Sequence, residues 1–280
     1  MTRLALLGGG RMGEALLGGL IAAGWDPSGL AVAEPDADRR QSLAAAFGAA
    51  RIVADPAEAC AGAEVVVVAV KPQHVAEALA QAGPALGAST LVLSIAAGVT
   101  VAALEAAAPG RPVVRAMPNT PATVGLGAAA IAGGTHASPG DLDLAERVLG
   151  AVGVVVRVPE AQLDAVTGLS GSGPAYVFLV AESLIEAGAL VGLPPDVSRS
   201  LVVQTLLGAA TLLAAGDETP EALRAAVTSP GGTTAAGIAV LEDHGVRAAL
   251  VDAVRAATER SRELGAPPAC VERQRRAEHL

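Results

Sequence analysis

The chain opens with a constraint that few folds satisfy: a short run, Arg3–Leu7, passes without a linker into Gly8-Gly9-Gly10-Arg11-Met12-Gly13 and then into a helical pattern over Met12–Ala23. Five residues suit a strand and are too few for a helix, whereas the apolar spacing after the glycines is helical. A strand that turns directly into a helix uses glycine at three places for three reasons. Gly8 permits the tight turn, Gly10 lets a ligand approach bare backbone, and Gly13 lets the helix press on the sheet. The start of such a helix also aims free N–H groups and a positive dipole end beyond the strand, where an anion is welcome. Alone the motif is weak, since a structural glycine turn would look the same. Its context carries the weight.

That context is a regular alternation. Strands are expected at Leu30–Glu34, Arg51–Val53, Glu64–Val70, Thr90–Ser94, Pro112–Ala116, Leu126–Ala132 and Val154–Val158. Between them, helices are expected at Asp36–Phe47, Ala57–Ala61, His74–Gln81, Val101–Ala107 and Asp141–Leu149, the first with Asp36 as its cap. Glu64–Val70 is almost pure valine, as in a parallel strand buried on both faces. Such alternation predicts a doubly wound parallel sheet. Beyond Pro159 the periodicity is helical only, over Glu160–Leu169, Pro174–Val191, Asp196–Ala215, Pro220–Val227, Thr234–Asp243 and Val246–Leu264. The expected organisation is an α/β Rossmann-type domain over residues 1–159, binding a dinucleotide, followed by an all-α domain over residues 160–280.

Composition narrows the function. Apolar residues are 52% of the chain and only Trp25, Phe47, Tyr176 and Phe178 are aromatic, so the core is built of Ala, Val and Leu. A net charge of −9 argues against nucleic acid and anionic membranes as partners. The start lacks the shape of a signal peptide. Leu169–Leu193 is the longest apolar stretch, but Glu182 and Glu186 share one face of it. This describes a buried helix with a wet edge, not a membrane span. Cys60 and Cys270 match neither a disulfide framework nor a ligand spacing, and read as reduced thiols of a cytoplasmic protein. His74, His136, His244 and His279 are scattered, so no metal site is expected, and the basic run Arg273–Arg276 reads as solvated.

Two further segments join the glycine loop. Glu34 ends the second strand 21 positions after Gly13, where an acid usually accepts the 2′-hydroxyl of the adenine ribose. That favours NAD, yet Arg39 and Arg40 follow closely enough to meet a 2′-phosphate, so both NADH and NADPH stand. Ala69-Val70-Lys71-Pro72 follows the valine strand at the sheet's carboxyl edge and contains the only lysine of the chain. In open α/β sheets ligands bind at that edge, so Lys71 is a candidate for cofactor ribose or phosphate.

Three more segments are too polar and glycine-rich for core: Arg115–Pro121 after a strand, Leu169–Tyr176 before the long helix, and Val227–Thr234 before another. Glycines beside hydroxyls at a helix start make a site for a small carboxylate without any arginine. Together with Ala69–Pro72 these segments, in this order and over nearly the whole chain, resemble the pyrroline-5-carboxylate reductase family. The resemblance implies reduction of 1-pyrroline-5-carboxylate to L-proline by hydride transfer from NADPH or NADH to C5 of the ring imine, the last step of proline synthesis. It implies that Ser229, Gly231, Gly232, Thr233 and Thr234 hold the substrate carboxylate, with Thr234 near the imine nitrogen as the catalytic candidate. It further implies that Met117, Pro118, Asn119 and Thr120 line the nicotinamide pocket. Gly8, Gly10, Arg11, Met12, Gly13, Glu34 and Ala69–Pro72 make up the remaining cofactor set. A homodimer or larger homo-oligomer, built through the helical domain, is implied as well.

A protonated ring imine is already electrophilic, so orientation against the nicotinamide is the main requirement. Three other readings share parts of this pattern. A β-hydroxyacid dehydrogenase uses a lysine on a helical-domain helix, and residues 72–280 contain none. A reductase of another imine differs only in pocket shape. A non-catalytic dinucleotide-binding protein would not need the Ser229–Thr234 turn.

Overall fold

Eight strands form a single sheet in the order β3-β2-β1-β4-β5-β6-β7-β8. They are β1 (Leu4–Leu7), β2 (Leu30–Ala33), β3 (Arg51–Val53), β4 (Val65–Val68), β5 (Leu91–Ser94), β6 (Val113–Met117), β7 (Gly127–Gly133) and β8 (Gly153–Arg157). The computed structural model describes residues 2–265. Cys270, His279 and Arg273–Arg276 lie outside the described residues. Helices α1 (Arg11–Ala22), α2 (Ala37–Ala46), α3 (Pro56–Cys60), α4 (Val75–Ala82), α5 (Val101–Ala107) and α6 (Pro139–Gly150) alternate with the strands.

The sheet departs from the all-parallel expectation at one place. Strands β1 to β6 are parallel, but β7 runs antiparallel to β6, and β8 is parallel to β7. The cause is connection length. Only residues 118–126 separate β6 from β7, and a parallel crossover takes a dozen or more. Between β7 and β8 the helix α6 supplies that length.

Both faces of the sheet are buried, as side-chain alternation along each strand requires. Leu4, Leu6, Val65, Val67, Leu91 and Leu93 pack with Leu16, Leu17 and Leu20 of α1 and with Val148 and Leu149 of α6. The intervening residues Ala5, Leu7, Val66, Val68 and Val92 point the other way, onto Cys60, Val75, Leu79 and Leu104. Each buried Val or Leu contributes roughly 1.5–3 kcal/mol, so the valine strand, walled in on both faces, anchors the sheet. Caps define the helices locally. Asp36 accepts the N–H of Arg39, and Ser138 and Asp141 form a reciprocal capping box at α6.

After β8 the chain stays helical: α7 (Leu163–Val166), α8 (Gly173–Leu190), α9 (Pro195–Ala214), α10 (Pro220–Ala226), α11 (Thr233–Asp243) and α12 (Val246–Gly265). Two units result. One comprises the chain through Ser172 together with the segment from Ala256 onward, and the other comprises Gly173–Arg255. The last strand ends at Arg157, close to Pro159, but the first unit continues past it and takes back the end of α12. There the Ser261 hydroxyl donates to Asp164 Oδ1 at 2.7 Å.

The segment Leu169–Tyr176 is helical at both of its ends. Residues Thr167–Gly171 form a π turn, with the Ser172 N–H donating to Thr167 O at 2.8 Å. The expectation of a buried Leu169–Leu193 helix is also corrected. No residue of α8 is buried within the chain, and Phe178, Leu201 and Leu212 are among many large side chains left exposed. The helical stretches Glu160–Leu190 and Pro195–Ala214 are long and apolar enough to cross a membrane by length and composition.

Candidate active site

Strand order reverses between β1 and β4, and this is the crevice in which open α/β sheets bind ligands. The glycine loop sits on it. Gly8, at φ +105°, occupies left-handed backbone that other residues avoid, and a Cβ there would lie 2.9 Å from Ala69 O. Gly13 faces Gly8 O so closely that any Cβ would overlap it. Gly10 differs from both: no atom lies within 4 Å of its Cβ position, and as the start of α1 it has no side-chain cap. The loop is thus tight where it touches the protein and open where an anion would approach the helix start. Arg11 is exposed at the first turn, while Met12 is half-buried against the core.

Glu34 closes one side of this loop. Its carboxylate accepts the N–H of Gly9 at 2.8 Å and that of Asp36 at 3.0 Å. Ala69 is tied to β1 through its N–H to Leu7 O at 2.8 Å. Lys71 is exposed and starts the turn Pro72–His74 at the end of the valine strand. These segments frame a cavity of about 280 Å³ lined by Gly8, Ala33, Pro35, Val70, His74 and Gln81, among others. The sequence reading did not single out Pro35, His74 or Gln81. The available signal for Pro35 and His74 was their position within two residues of Glu34 and Pro72, whereas Gln81 is brought in from α4 by the fold.

At the end of β6, Met117 packs beside Ala130, Ala132 and Leu163. Its Cε lies 2.6 Å from the Cβ position of Gly171, so the end of the Met117 side chain rests against the π turn. Asn119 fastens the next residues at both ends of its amide. Nδ2 donates to Ser170 O at 3.1 Å and Oδ1 accepts the Ala128 N–H at 2.8 Å. Thr120 O accepts the hydroxyl of Thr123. A second cavity, about 400 Å³, is lined by Pro72, Ala97, Gly98, Thr167, Ser172 and part of α12. Gly98 and the end of α12, with Arg260 and Ser261, were absent from the residues read as functional, because neither lies in a segment that the sequence pattern marks out.

The Ser229–Thr234 turn belongs to the other unit. Gly231, at φ +70°, reverses the chain between α10 and α11, and Ser229 O accepts the Gly232 N–H at 3.0 Å. Thr233 and Thr234 are the exposed first residues of α11, whose start at Gly232 carries no side-chain cap. Nowhere among the described residues do three His, Cys, Asp or Glu side chains cluster as metal ligands. Burial raises the Cys60 thiol to about 12, so it is inert at neutral pH.

A pyrroline-5-carboxylate reductase of Synechocystis sp. is 47% identical over 265 residues, covering 94% of this chain and 98% of that protein. The chain belongs to the pyrroline-5-carboxylate reductase family. The family model for pyrroline-5-carboxylate reductase dimerisation matches residues 160–264, and one for NADP oxidoreductase, coenzyme F420-dependent, matches residues 3–98. A solved pyrroline-5-carboxylate reductase from Coxiella burnetii superposes with a TM-score of 0.91 at 36% identity, covering 95% of this chain and 99% of that one. The Plasmodium falciparum pyrroline carboxylate reductase with NADP bound gives 0.82 at 30% identity, covering 95% and 98%. As a member of this reductase family the chain has a Rossmann-like first half and a helical second half, as its sequence implied.

Proposed function

We propose that this chain reduces 1-pyrroline-5-carboxylate to L-proline with NADPH or NADH. The observation that carries the reading is the contrast within the glycine loop, where Gly8 and Gly13 admit no side chain while Gly10 faces open space. That is a fit to a pyrophosphate approaching the start of α1. When bound, the dinucleotide supplies a hydride from nicotinamide C4 to C5 of the protonated ring imine, whose nitrogen keeps its proton as the C=N bond becomes single.

The chain's own residues bind and orient. Gly10, Arg11 and the first N–H groups of α1 hold the pyrophosphate, Glu34 meets the adenine ribose, and Ala69–Pro72 with Lys71 meets ribose or phosphate. Met117–Thr120, held by Asn119, lines the nicotinamide side. Ser229, Gly231, Gly232, Thr233 and Thr234 hold the substrate carboxylate through hydroxyls and backbone N–H groups, and Thr234 hydrogen-bonds near the imine nitrogen. Geometry and electrostatics of this kind suffice for an imine that is already activated. Residues 160–280 serve as the dimerisation and substrate domain. A second copy of the chain covers the apolar faces of α8 and α9, which makes them an interface of a homodimer or larger homo-oligomer and not membrane spans. The reading implies a cytoplasmic enzyme, where reduced nicotinamide cofactor is supplied.

Absorbance of the reduced cofactor on addition of the ring imine tests this directly. Proline should appear in step with cofactor oxidation. If neither NADH nor NADPH is oxidised, the reading fails.

A further inference from the structure

The cavity of about 400 Å³ lies at the carboxyl ends of β4 and β5, since Pro72 and Ala97 follow those strands closely. A dinucleotide in this crevice spreads its two halves to either side of the strand-order reversal. With Glu34 and β2 on the adenine side, β4 and β5 lie under the reacting half. The walls are mostly apolar, with Pro72, Ala97 and Leu264, and their polar groups are few. The Thr167 hydroxyl donates to Leu163 O at 2.9 Å and the Ser261 hydroxyl to Asp164 Oδ1 at 2.7 Å. Both protons are committed. The side-chain donors left are the Ser172 hydroxyl and the Arg260 guanidinium, and Arg260 is the only charged residue of this lining. Among the described residues Arg260 meets only Glu263, through Nη1 at 2.6 Å, and both side chains are exposed. Such a pair holds weakly, and most of the guanidinium's donors stay unused.

We infer that Arg260 is a specificity-determining residue, which selects ring imines that carry a carboxylate. The inference rests on the reductase reading above. A small ring suits the apolar walls, and its carboxylate is the part that a cation distinguishes. In a chain of net charge −9 an anionic ligand is repelled at long range, so one guanidinium at this wall weighs heavily. A unit charge about 6 Å from a carboxylate is worth roughly a factor of three in water, and more where water is excluded.

The test compares two substrates at saturating cofactor: 1-pyrroline-5-carboxylate, and 1-pyrroline, the same ring without its carboxylate. The ratio of their kcat/KM values, in favour of the carboxylate, should fall at least about threefold in Arg260→Gln. Arg260→Lys should keep most of it. A merely structural role would lower both rates together and leave the ratio where it was. A ratio unchanged in Arg260→Gln overturns the inference, as does no preference for the carboxylate in the unmutated protein. A ratio lost equally in Arg260→Gln and Arg260→Lys overturns it too, because charge then plays no part. If the unmutated protein oxidises cofactor with neither ring, the reductase reading itself fails.

Discussion

Asn119 and Ser170, 51 residues apart in sequence, are joined by a 3.1 Å hydrogen bond from the Asn119 amide to the backbone oxygen of the π turn. The other end of the same amide holds the Ala128 N–H of β7. One side chain therefore fixes the residues after β6 against two neighbours. Asn119→Ala should cost about 1–2 kcal/mol in stability, since an N–H and a C=O lose their partner at once. It should also lower turnover, because the Met117–Thr120 segment is freed. Chemical denaturation paired with steady-state kinetics checks both, and full activity would show that the segment needs no such fastening.

The glycine loop offers a paired test. In Gly13→Ala the new methyl overlaps Gly8 O, so stability should fall by roughly 1–3 kcal/mol. In Gly10→Ala the methyl meets no protein atom within 4 Å, and stability should change by less than about 1 kcal/mol. Cofactor affinity should nevertheless drop at least about tenfold if, as proposed, the pyrophosphate comes closest there. Normal cofactor affinity in Gly10→Ala would remove the pyrophosphate from this loop.

Arg115 is nearly buried, and its Nη1 donates to Glu160 Oε1 at 3.0 Å; the same oxygen accepts the Val101 N–H at 2.7 Å. Glu160→Ala leaves a guanidinium inside the protein without its counter-charge, which should cost about 3 kcal/mol. Glu160→Gln retains an acceptor and should cost less. Urea midpoints of the two variants and the unmutated protein decide it, and a Glu160→Ala midpoint equal to that of the unmutated protein would mean that water replaces the carboxylate at no cost.

Thr234 stands at the exposed start of α11. Thr234→Ala should lower kcat by about tenfold or more and leave cofactor affinity near normal, since the proposed role of the hydroxyl is toward the substrate alone. Unchanged turnover would relocate the imine pocket.

Much of this protein is legible locally. The β1–glycine–α1 unit, the valine strand, the caps at Asp36 and the turn at Gly231 follow from the residues that form them, because φ preferences, capping and side-chain alternation act over a few positions. The candidate segments were likewise visible as glycine, proline and hydroxyl residues where core residues were expected. Their partners were not. Asn119 finds Ser170, Arg115 finds Glu160, and Arg39 turns to Glu14 only once distant segments meet.

The sequence by itself determined an alternating α/β first half, a helical second half, and glycines at three structurally different places in one loop. Tertiary structure alone decided that β7 runs against β6, that residues 167–171 widen into a π turn around Met117, and that both arginines after Glu34 are engaged. It also left the apolar sides of α8 and α9 uncovered by the rest of the chain. The reason is one of range. Propensity and periodicity are set by neighbours along the backbone, while strand direction, charge pairing and burial depend on residues that folding alone brings within a few ångströms.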